Sequence, residues 1–432
     1  MIKYKDNGVE WIGQIPEDWS VIRLKDKYQS IKEIVGEKAN EFERLALTLQ
    51  GVIKRDKYDE NGLQPEKFDG YQIIRKNDFV FKMIDLQNIS TSRVGLVPFD
   101  GIVSPAYLRF RPRNKQKNKF LYYYLLSLWQ NEVFNSLGGD GVRSSLTAEN
   151  MGILSCPFPK YETQQKIVNI LDKKCAQIDE LIKLQEQEIT KLKEYKQSVI
   201  SEVVTKGLDK NAKMKDSEIP WIGQIPRDWN LRRLKNFGWF TSGISNKKPE
   251  DFGFGYPFVN YKNIYSHYEI DMNCEEKVNS TIEDREKYNI KYGDLFFTGS
   301  SETVGELGFS CVAMADFPNA VWNGFCIRMR PYNFVNYNPK YFVYLTRSSI
   351  GRTYLDANDN SITRANLSQP RLARMPIVIP PIKEQNLAVK FLDKKCKEID
   401  KLISLKNKKI YSLQNYKKSL IYEYVTGKKE IK

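Results

Sequence analysis

This chain of 432 residues has only one histidine and no two closely spaced cysteines. The one histidine, His267, argues against a histidine-based metal site and against a Ser/His/Asp triad. The six cysteines include no Cys-x-x-Cys pair, which favours reduced thiols over a disulfide framework or a zinc site. Cys175 and Cys396 both end the sequence LDKKC, and we predict that they are small buried side chains.

Long apolar runs are also missing. No 18 consecutive residues are apolar, and the N-terminal sequence MIKYKDNGVEW lacks the apolar core of a signal peptide. These absences predict a cytoplasmic protein with no membrane partner.

Sequence signatures of catalysis are lacking as well. The chain has no phosphate-binding P-loop and no Asp/Asn/Ser-Pro-Pro-aromatic tetrapeptide of the kind that marks amino-group methyltransferases. Its GFG at 253–255 lacks the third glycine of a dinucleotide motif and is predicted to be a loop. No spacing of carboxylates marks a nuclease metal site. We therefore predict a protein that is not an enzyme and has no catalytic residue, metal site or cofactor of its own.

Positive charge is in excess. The 68 Lys and Arg residues outnumber the 53 Asp and Glu residues, which gives 68 − 53 = +15. This balance fits an acidic polymer such as nucleic acid as the partner, although many intracellular proteins are mildly basic.

One short sequence occurs twice. WIGQIPEDW at 11–19 returns as WIGQIPRDW at 221–229, an offset of 221 − 11 = 210. Further pairs follow in the same order, and the offset reaches 221 at KFLYYYL and KYFVYLT, which begin at Lys119 and Lys340. The chain is therefore an internal repeat with similar ends and diverged middles. We interpret the tryptophans of the motif as core residues.

Each repeat closes with a long helical pattern that has no internal Pro or Gly. Apolar residues recur at multiples of seven, which predicts a helix with one buried stripe. They are Leu171, Ile178, Leu192 and Val199 in the first repeat and Leu392, Ile399, Leu413 and Leu420 in the second. The simplest partner for each stripe is the other helix of the same chain, packed antiparallel; dimerisation with another copy is the alternative.

The middles mix short strand-like and helix-like runs separated by Gly, Asn and Ser, which is typical of an α+β fold. We predict two similar globular domains joined by two long antiparallel helices with pseudo-twofold symmetry. The predicted parts are a first domain at 1–160, a long helix at 161–206, a linker at 207–220, a second domain at 221–381 and a second long helix at 382–427.

Each repeat has four motifs in the same order: the tryptophan motif, a strand that begins with Asn-Asp or Gly-Asp (NDFVF at 77–81 and GDLFF at 293–297), a Pro closely followed by E-x-Q or K-E-Q, and LDxKxxxIDxLI. Taken together, these motifs resemble the specificity subunit of type I restriction-modification enzymes. The resemblance covers essentially the whole chain, twice and in the order of the family. It implies two target-recognition domains that each read one part of a split double-stranded DNA target, with the helices as a ruler between them.

The resemblance also implies partners. Two methyltransferase subunits would dock on the helices and restriction subunits would join the complex, so S-adenosylmethionine, ATP and Mg would be bound by those partners. Lysines of the helices, such as Lys173, Lys174, Lys394 and Lys395, are predicted to face solvent or a partner rather than phosphates.

Polar, loop-prone segments of the diverged middles are the candidates for reading bases, since Arg suits guanine and Asn or Gln suits adenine. In the first domain they are Lys82, Gln87, Asn88, Ser92, Arg93, Arg143 and Ser144. In the second they are Tyr261, Lys262, Asn263, Thr298, Ser300, Ser301, Glu302, Asn360, Thr363 and Arg364. Arg143 and Arg364 are at equivalent positions, which suits a shared contact to phosphate better than base reading.

Two other hypotheses remain open at this point. A coiled-coil scaffold with two protein-binding heads would explain the helices and the repeat, but not the basic excess. An enzyme with an unrecognised site would show turnover as the purified chain. DNA binding that weakens steeply with salt would separate the DNA reader from the scaffold.

Overall fold

The computed structural model describes residues 3–58, 65–87, 91–114, 119–137, 145–271, 273, 275–301, 307–356 and 365–431. Its internal contacts divide the chain into two units. Unit 1 is Met1–Gln185 with Asn407–Lys432, and unit 2 is Glu186–Lys406. Each unit combines strands with helices, so the predicted α+β class is confirmed. Among the described residues, no helix has the length and apolarity needed to span a membrane.

Unit 1 is built around a four-stranded antiparallel sheet with the strand order Tyr28–Ser30, Leu108–Pro112, Phe79–Phe81, Val94–Leu96. The other strands are Tyr4–Lys5, Ile15–Pro16, Ser20–Arg23, Leu45–Thr48, Gly51–Lys54, Gln72–Ile74, Gly101–Val103 and Ser155–Phe158. The short helices are Leu24–Lys27, Lys119–Gln130, Val133–Leu137 and Ala148–Gly152, with a 3-10 turn at Gly36–Glu41.

Unit 2 repeats this sheet with the order Gly238–Ser242, Cys326–Pro331, Leu295–Thr298, Ser310–Val312. Its other strands are Met214–Asp216, Gln224–Pro226, Asn230–Arg233, Phe252–Val259, Lys277–Val278, Ser300–Ser301, Val321–Trp322, Ala365–Asn366 and Pro376–Ile379. Its short helices are Tyr261–Ser266, Ile282–Lys287, Pro339–Arg347, Ser349–Asp356 and Gln369–Ala373, with 3-10 turns at Leu234–Asn236 and Pro249–Asp251.

The two long helices span Tyr161–Lys206 and Ile382–Val425 and are called here the first and second long helix. Five of the eight predicted stripe residues are buried, namely Leu171, Ile178, Leu392, Ile399 and Leu420. The other three are half-buried, namely Leu192, Val199 and Leu413. Within unit 1, Lys417 binds Asp179 at 2.6 Å, and within unit 2, Lys196 binds Asp400 at 2.7 Å. Glu188 of unit 2 also binds Lys406, so the position on the second long helix falls from 406 to 400 as that on the first rises from 188 to 196. The two helices therefore run antiparallel, which confirms the predicted pairing.

Equivalent hydrogen bonds in the two units attach each long helix to the rest of its unit. Asp172 of the first accepts hydrogen bonds from Tyr123 at 2.5 Å and Lys119 at 2.7 Å. Asp393 of the second accepts them from Tyr344 at 2.8 Å and Lys340 at 3.2 Å. The recurring aspartate of LDKK thus anchors the first long helix to the helix Lys119–Gln130 and the second to the helix Pro339–Arg347.

The repeated tryptophan motif packs against the glycine that ends a long helix. Trp229 contacts Gly207 in unit 2, and Trp19 with Pro16 contacts Gly427 in unit 1. Trp19 and Trp229 are buried, which confirms the interpretation as core residues for this pair. Trp11 is half-buried and Trp221 is 44% exposed, so the interpretation is wrong for Trp221. Tyr4 donates a further bond to the Gly427 carbonyl at 3.1 Å, so the N-terminal segment packs beside the end of the second long helix.

The cysteines of the described residues are free and buried, as predicted for Cys175 and Cys396. Burial raises the pKa of the Cys175 thiol to about 11 and that of Cys311 to about 12. Thiols with such raised pKa values stay protonated at neutral pH and pack as small apolar groups.

Candidate DNA-reading surface

Two predicted residues of unit 1 lie near the surface. Gln87 is exposed, and Lys82 is half-buried with its ammonium 3.5 Å from the Thr91 hydroxyl. Burial, and secondarily the neighbouring Arg93 guanidinium, lowers the pKa of Lys82. Both side chains follow the sheet strand Phe79–Phe81, which fixes the start of this segment.

Ser92 and Arg93 are placed in the interior, which corrects their prediction as base-reading residues. The Ser92 hydroxyl donates to the Val94 carbonyl at 2.8 Å. The Arg93 guanidinium donates to the Asp85 carbonyl and has no exposed surface. It braces the segment between two sheet strands instead of facing solvent, so it cannot reach a base edge in this fold.

In unit 2, Thr298 and Ser300 are also buried, and the prediction that they read bases is corrected for the same reason. The Thr298 hydroxyl accepts a hydrogen bond from the Phe309 backbone at 2.9 Å. Ser300 and Ser301 form a short strand paired with Ala365–Asn366. Thr298 thus ends a strand that is paired on both sides in the central sheet, and Ser300 begins a separate two-stranded sheet.

The segment at Tyr261 is the best-defined predicted site. Tyr261–Ser266 is a helix, and Asn260 and Asn263 cap it reciprocally with two bonds of 2.9 Å. Lys262 on its first turn is exposed. Tyr261 stacks on Tyr265 with ring centroids 6.3 Å apart. The cap uses the side-chain oxygen of Asn263, which leaves Lys262 as the exposed side chain of the first turn, while Tyr261 is half-buried and packs against the core around Val259 and Ile264.

Arg347, which the sequence did not single out, holds this helix in place. Its guanidinium donates to the carbonyls of Ile264, Tyr265 and His267 at 3.0, 3.0 and 2.7 Å. It also donates to the Ser310 carbonyl of the central sheet at 2.6 Å. Burial lowers the pKa of Arg347, yet an arginine stays charged and can satisfy the last carbonyls of a helix.

Beside this helix, Arg347 and Arg352 both lie over the ring of Phe309, at 5.0 and 4.9 Å from its centroid. With Tyr268 they line an open pocket of about 740 Å³. Arg352 also binds Asp356 at 2.5 Å, which offsets its charge beside Arg347. No grouping of His, Cys, Asp or Glu within the described ranges could hold a metal ion.

Seven predicted residues lie outside the described residues. They are Asn88, Arg143, Ser144, Glu302, Asn360, Thr363 and Arg364. Their roles stay predictions.

A family model for the type I restriction modification DNA specificity domain matches the chain twice, over residues 16–194 and 226–426. The chain belongs to this family of DNA specificity subunits. The putative type I restriction enzyme MjaX specificity subunit of Methanocaldococcus jannaschii is 27% identical over 447 residues, covering 98% of this chain and 96% of the relative. The EcoKI specificity subunit of Escherichia coli is 20% identical over 438 residues, covering 96% and 90%.

A chain from a solved structure on complex assembly and conformational transition of the type I R-M system has the same fold. Its TM-score is 0.66 at 16% identity, with 95% of this chain and 98% of that chain covered. As a type I restriction-modification specificity subunit, the protein recognises a DNA target. The DNA-reading hypothesis is therefore favoured over the scaffold, and the two family matches correspond to the two repeats.

Proposed function

We propose that this specificity subunit reads a split DNA target with one domain for each part and docks two methyltransferase subunits on its long helices. The chain would do no chemistry itself. S-adenosylmethionine, and ATP with Mg where restriction subunits join, would be bound by those partners. The observation that carries the proposal is the duplication: both repeats keep one structural frame while their middles differ.

The structural frame that the two repeats share consists of equivalent contacts in the two units. The Asp172 and Asp393 anchors described above make the same two contacts in each unit. Gln164 and Gln385 likewise donate to the Pro159 and Pro380 carbonyls, at 2.8 and 3.0 Å, before each long helix. Such buried bonds fix the position of a domain on its helix and leave the reading segments free to change.

The middles differ in structure as well as in sequence. Unit 1 has a hairpin of Leu45–Thr48 and Gly51–Lys54. Unit 2 has instead the long strand Phe252–Val259 followed by the capped helix Tyr261–Ser266. Two differently built surfaces on equivalent frames suit two different short sequences, because base edges are read by individual side chains that reach into a groove.

The long helices carry a repeated exposed apolar pair. Leu181 and Leu184 in unit 1 are 45% and 43% exposed, and their counterparts Leu402 and Leu405 in unit 2 are 47% and 53% exposed. A spacing of three residues places each pair on one face of its helix. An apolar pair kept at both repeats supports a partner that docks twice, as two methyltransferase subunits would.

The experiment is a methylome comparison in the host with and without the gene for this chain. We expect one split motif to lose methylation on deletion. Restoring the gene with Tyr261→Ala and Lys262→Ala should change or relax only one part of that motif, since both residues belong to unit 2. Gln87→Ala in unit 1 is the matched variant and should affect the other part. A continuous motif, or methylation that persists after deletion, would refute the proposal.

A further inference from the structure

Five lysines form a row along one face of the second long helix. Their spacings of seven, four, three and four residues place them within about 60° of one another at 3.6 residues per turn. All five are exposed and all lie in unit 2: Lys383, Lys390, Lys394, Lys397 and Lys401. We call them the lysine row.

The carboxylates of this helix do not neutralise the lysine row. Asp393 is engaged by Lys340 and Tyr344, Asp400 by Lys196 and Glu423 by Lys429. Glu384 accepts a hydrogen bond from the Trp229 indole and Glu398 lies 4.0 Å from Lys395, so both keep a negative charge, but the five lysines of the row outnumber them. Lysines three and four residues apart on one helix face repel each other. The row therefore carries unbalanced positive charge along the helix.

The other repeat lacks this feature. At the same offset of 221, the first long helix has Glu162, Asn169, Lys173, Ala176 and Glu180. The row carries +5, whereas its counterpart carries one positive and two negative charges, a net of −1. The apolar pairs are duplicated but the lysine row is not. A partner that docks identically on both helices accounts for the leucines and leaves the lysines unexplained.

We propose that the lysine row binds the phosphate backbone of duplex DNA without reading sequence. From Lys383 to Lys401 the row extends over 18 residue steps, about 27 Å at 1.5 Å per residue, which is the length of about eight base pairs. Regularly spaced ammonium groups suit phosphates as point charges and give no base discrimination. The inference revises the expectation that Lys394 faces only solvent or a protein, and it rests on the proposed function because the DNA is the target-bearing duplex.

The test removes four charges from the row with Lys390→Gln, Lys394→Gln, Lys397→Gln and Lys401→Gln in the full chain, purified with its methyltransferase subunits. Gln keeps helix propensity high. The matched control removes four exposed lysines from the first long helix by Lys173→Gln, Lys174→Gln, Lys183→Gln and Lys191→Gln. Binding is measured over a range of salt concentrations, on a duplex with the methylated split motif and on a scrambled duplex.

We expect the slope of log K against log salt to fall in magnitude by about 2 to 4 for the lysine-row variant, since each phosphate contact contributes about 0.9. The control should lose less than one unit. Affinity at fixed salt should fall by the same factor on both duplexes. An unchanged slope would overturn the proposal, and so would failure to assemble with methyltransferase subunits while DNA binding is retained, which would assign the row to a protein partner. If the unaltered complex binds both duplexes equally, the proposed function fails instead.

Discussion

The glycines that end the long helices offer a stability test of the frame. Gly207 and Gly427 have φ of +77° and +72°, a left-handed conformation that costs alanine about 1–2 kcal/mol. The space around them differs. A Cβ on Gly427 would lie 2.4 and 2.7 Å from the ring of Pro16, whereas one on Gly207 would lie 3.0 Å from the edge of Trp229.

The difference sets the expected order of the two substitutions. Pro16 is rigid and pairs with Tyr4 in a short sheet, so Gly427→Ala must displace backbone and should cost a further 1–3 kcal/mol or so, as overpacking does. We expect a total loss of about 2–5 kcal/mol for Gly427→Ala. For Gly207→Ala the ring edge can shift slightly, and we expect about 1–3 kcal/mol.

Gly223→Ala is the matched control, because Gly223 has φ +69° and no atom within 4 Å of a built Cβ. It isolates the conformational cost. The three variants are compared by urea unfolding of the full chain, followed by far-UV circular dichroism and by tryptophan fluorescence. Equal losses for Gly223→Ala and Gly427→Ala would show that the Pro16 contact does not constrain the end of the helix, and would refute the reasoning.

Two further predictions concern the partners and the reading surface. Leu402→Ser with Leu405→Ser should reduce the number of bound methyltransferase subunits from two to one in native mass spectrometry, and Leu181→Ser with Leu184→Ser should do the same. Ser404→Ala is the control. Two bound subunits on either leucine variant would contradict the docking site. Arg347→Gln should weaken reading of the same part of the motif as Lys262→Ala because it releases three carbonyls of the Tyr261–Ser266 helix, whereas methylation unchanged in both parts would show that Arg347 does not position that helix.

The long helices could be predicted from sequence because their signals are local. An uninterrupted stripe such as Leu171 to Ile178, without Pro or Gly, specifies a helix wherever the chain lies. The first long helix spans Tyr161–Lys206, and the second ends at Val425, two residues before Gly427. The duplication added the partner for each stripe, since two similar amphipathic helices in one chain can bury each other.

The reading residues were harder to predict, because exposure depends on distant parts of the chain. Arg93 and Lys82 are both polar residues beside sheet strands, yet only Arg93 is fully buried, against the Asp85 carbonyl. Arg347 is the converse case, because the sequence did not point to it and the structure places it against the predicted reading helix. It ends an amphipathic helix and resembles a solvated residue, but its bonds go to carbonyls 80 or more positions away, apart from that of Ser310. No local pattern carries that information.

The contacts that attach each domain to the long helices are separate from the residues proposed to read DNA. This separation explains how one fold can recognise two different DNA sequences. The anchors at Asp172 and Asp393 lie on the long helices, whereas Tyr261 and Lys262 lie on a helix that is capped within itself and held by Arg347. A substitution on the reading helix leaves the anchors intact, and contributions from groups without shared partners add independently. Each unit also contains its own half of both long helices. A change in what one domain reads therefore need not disturb the other domain or the contacts that attach it.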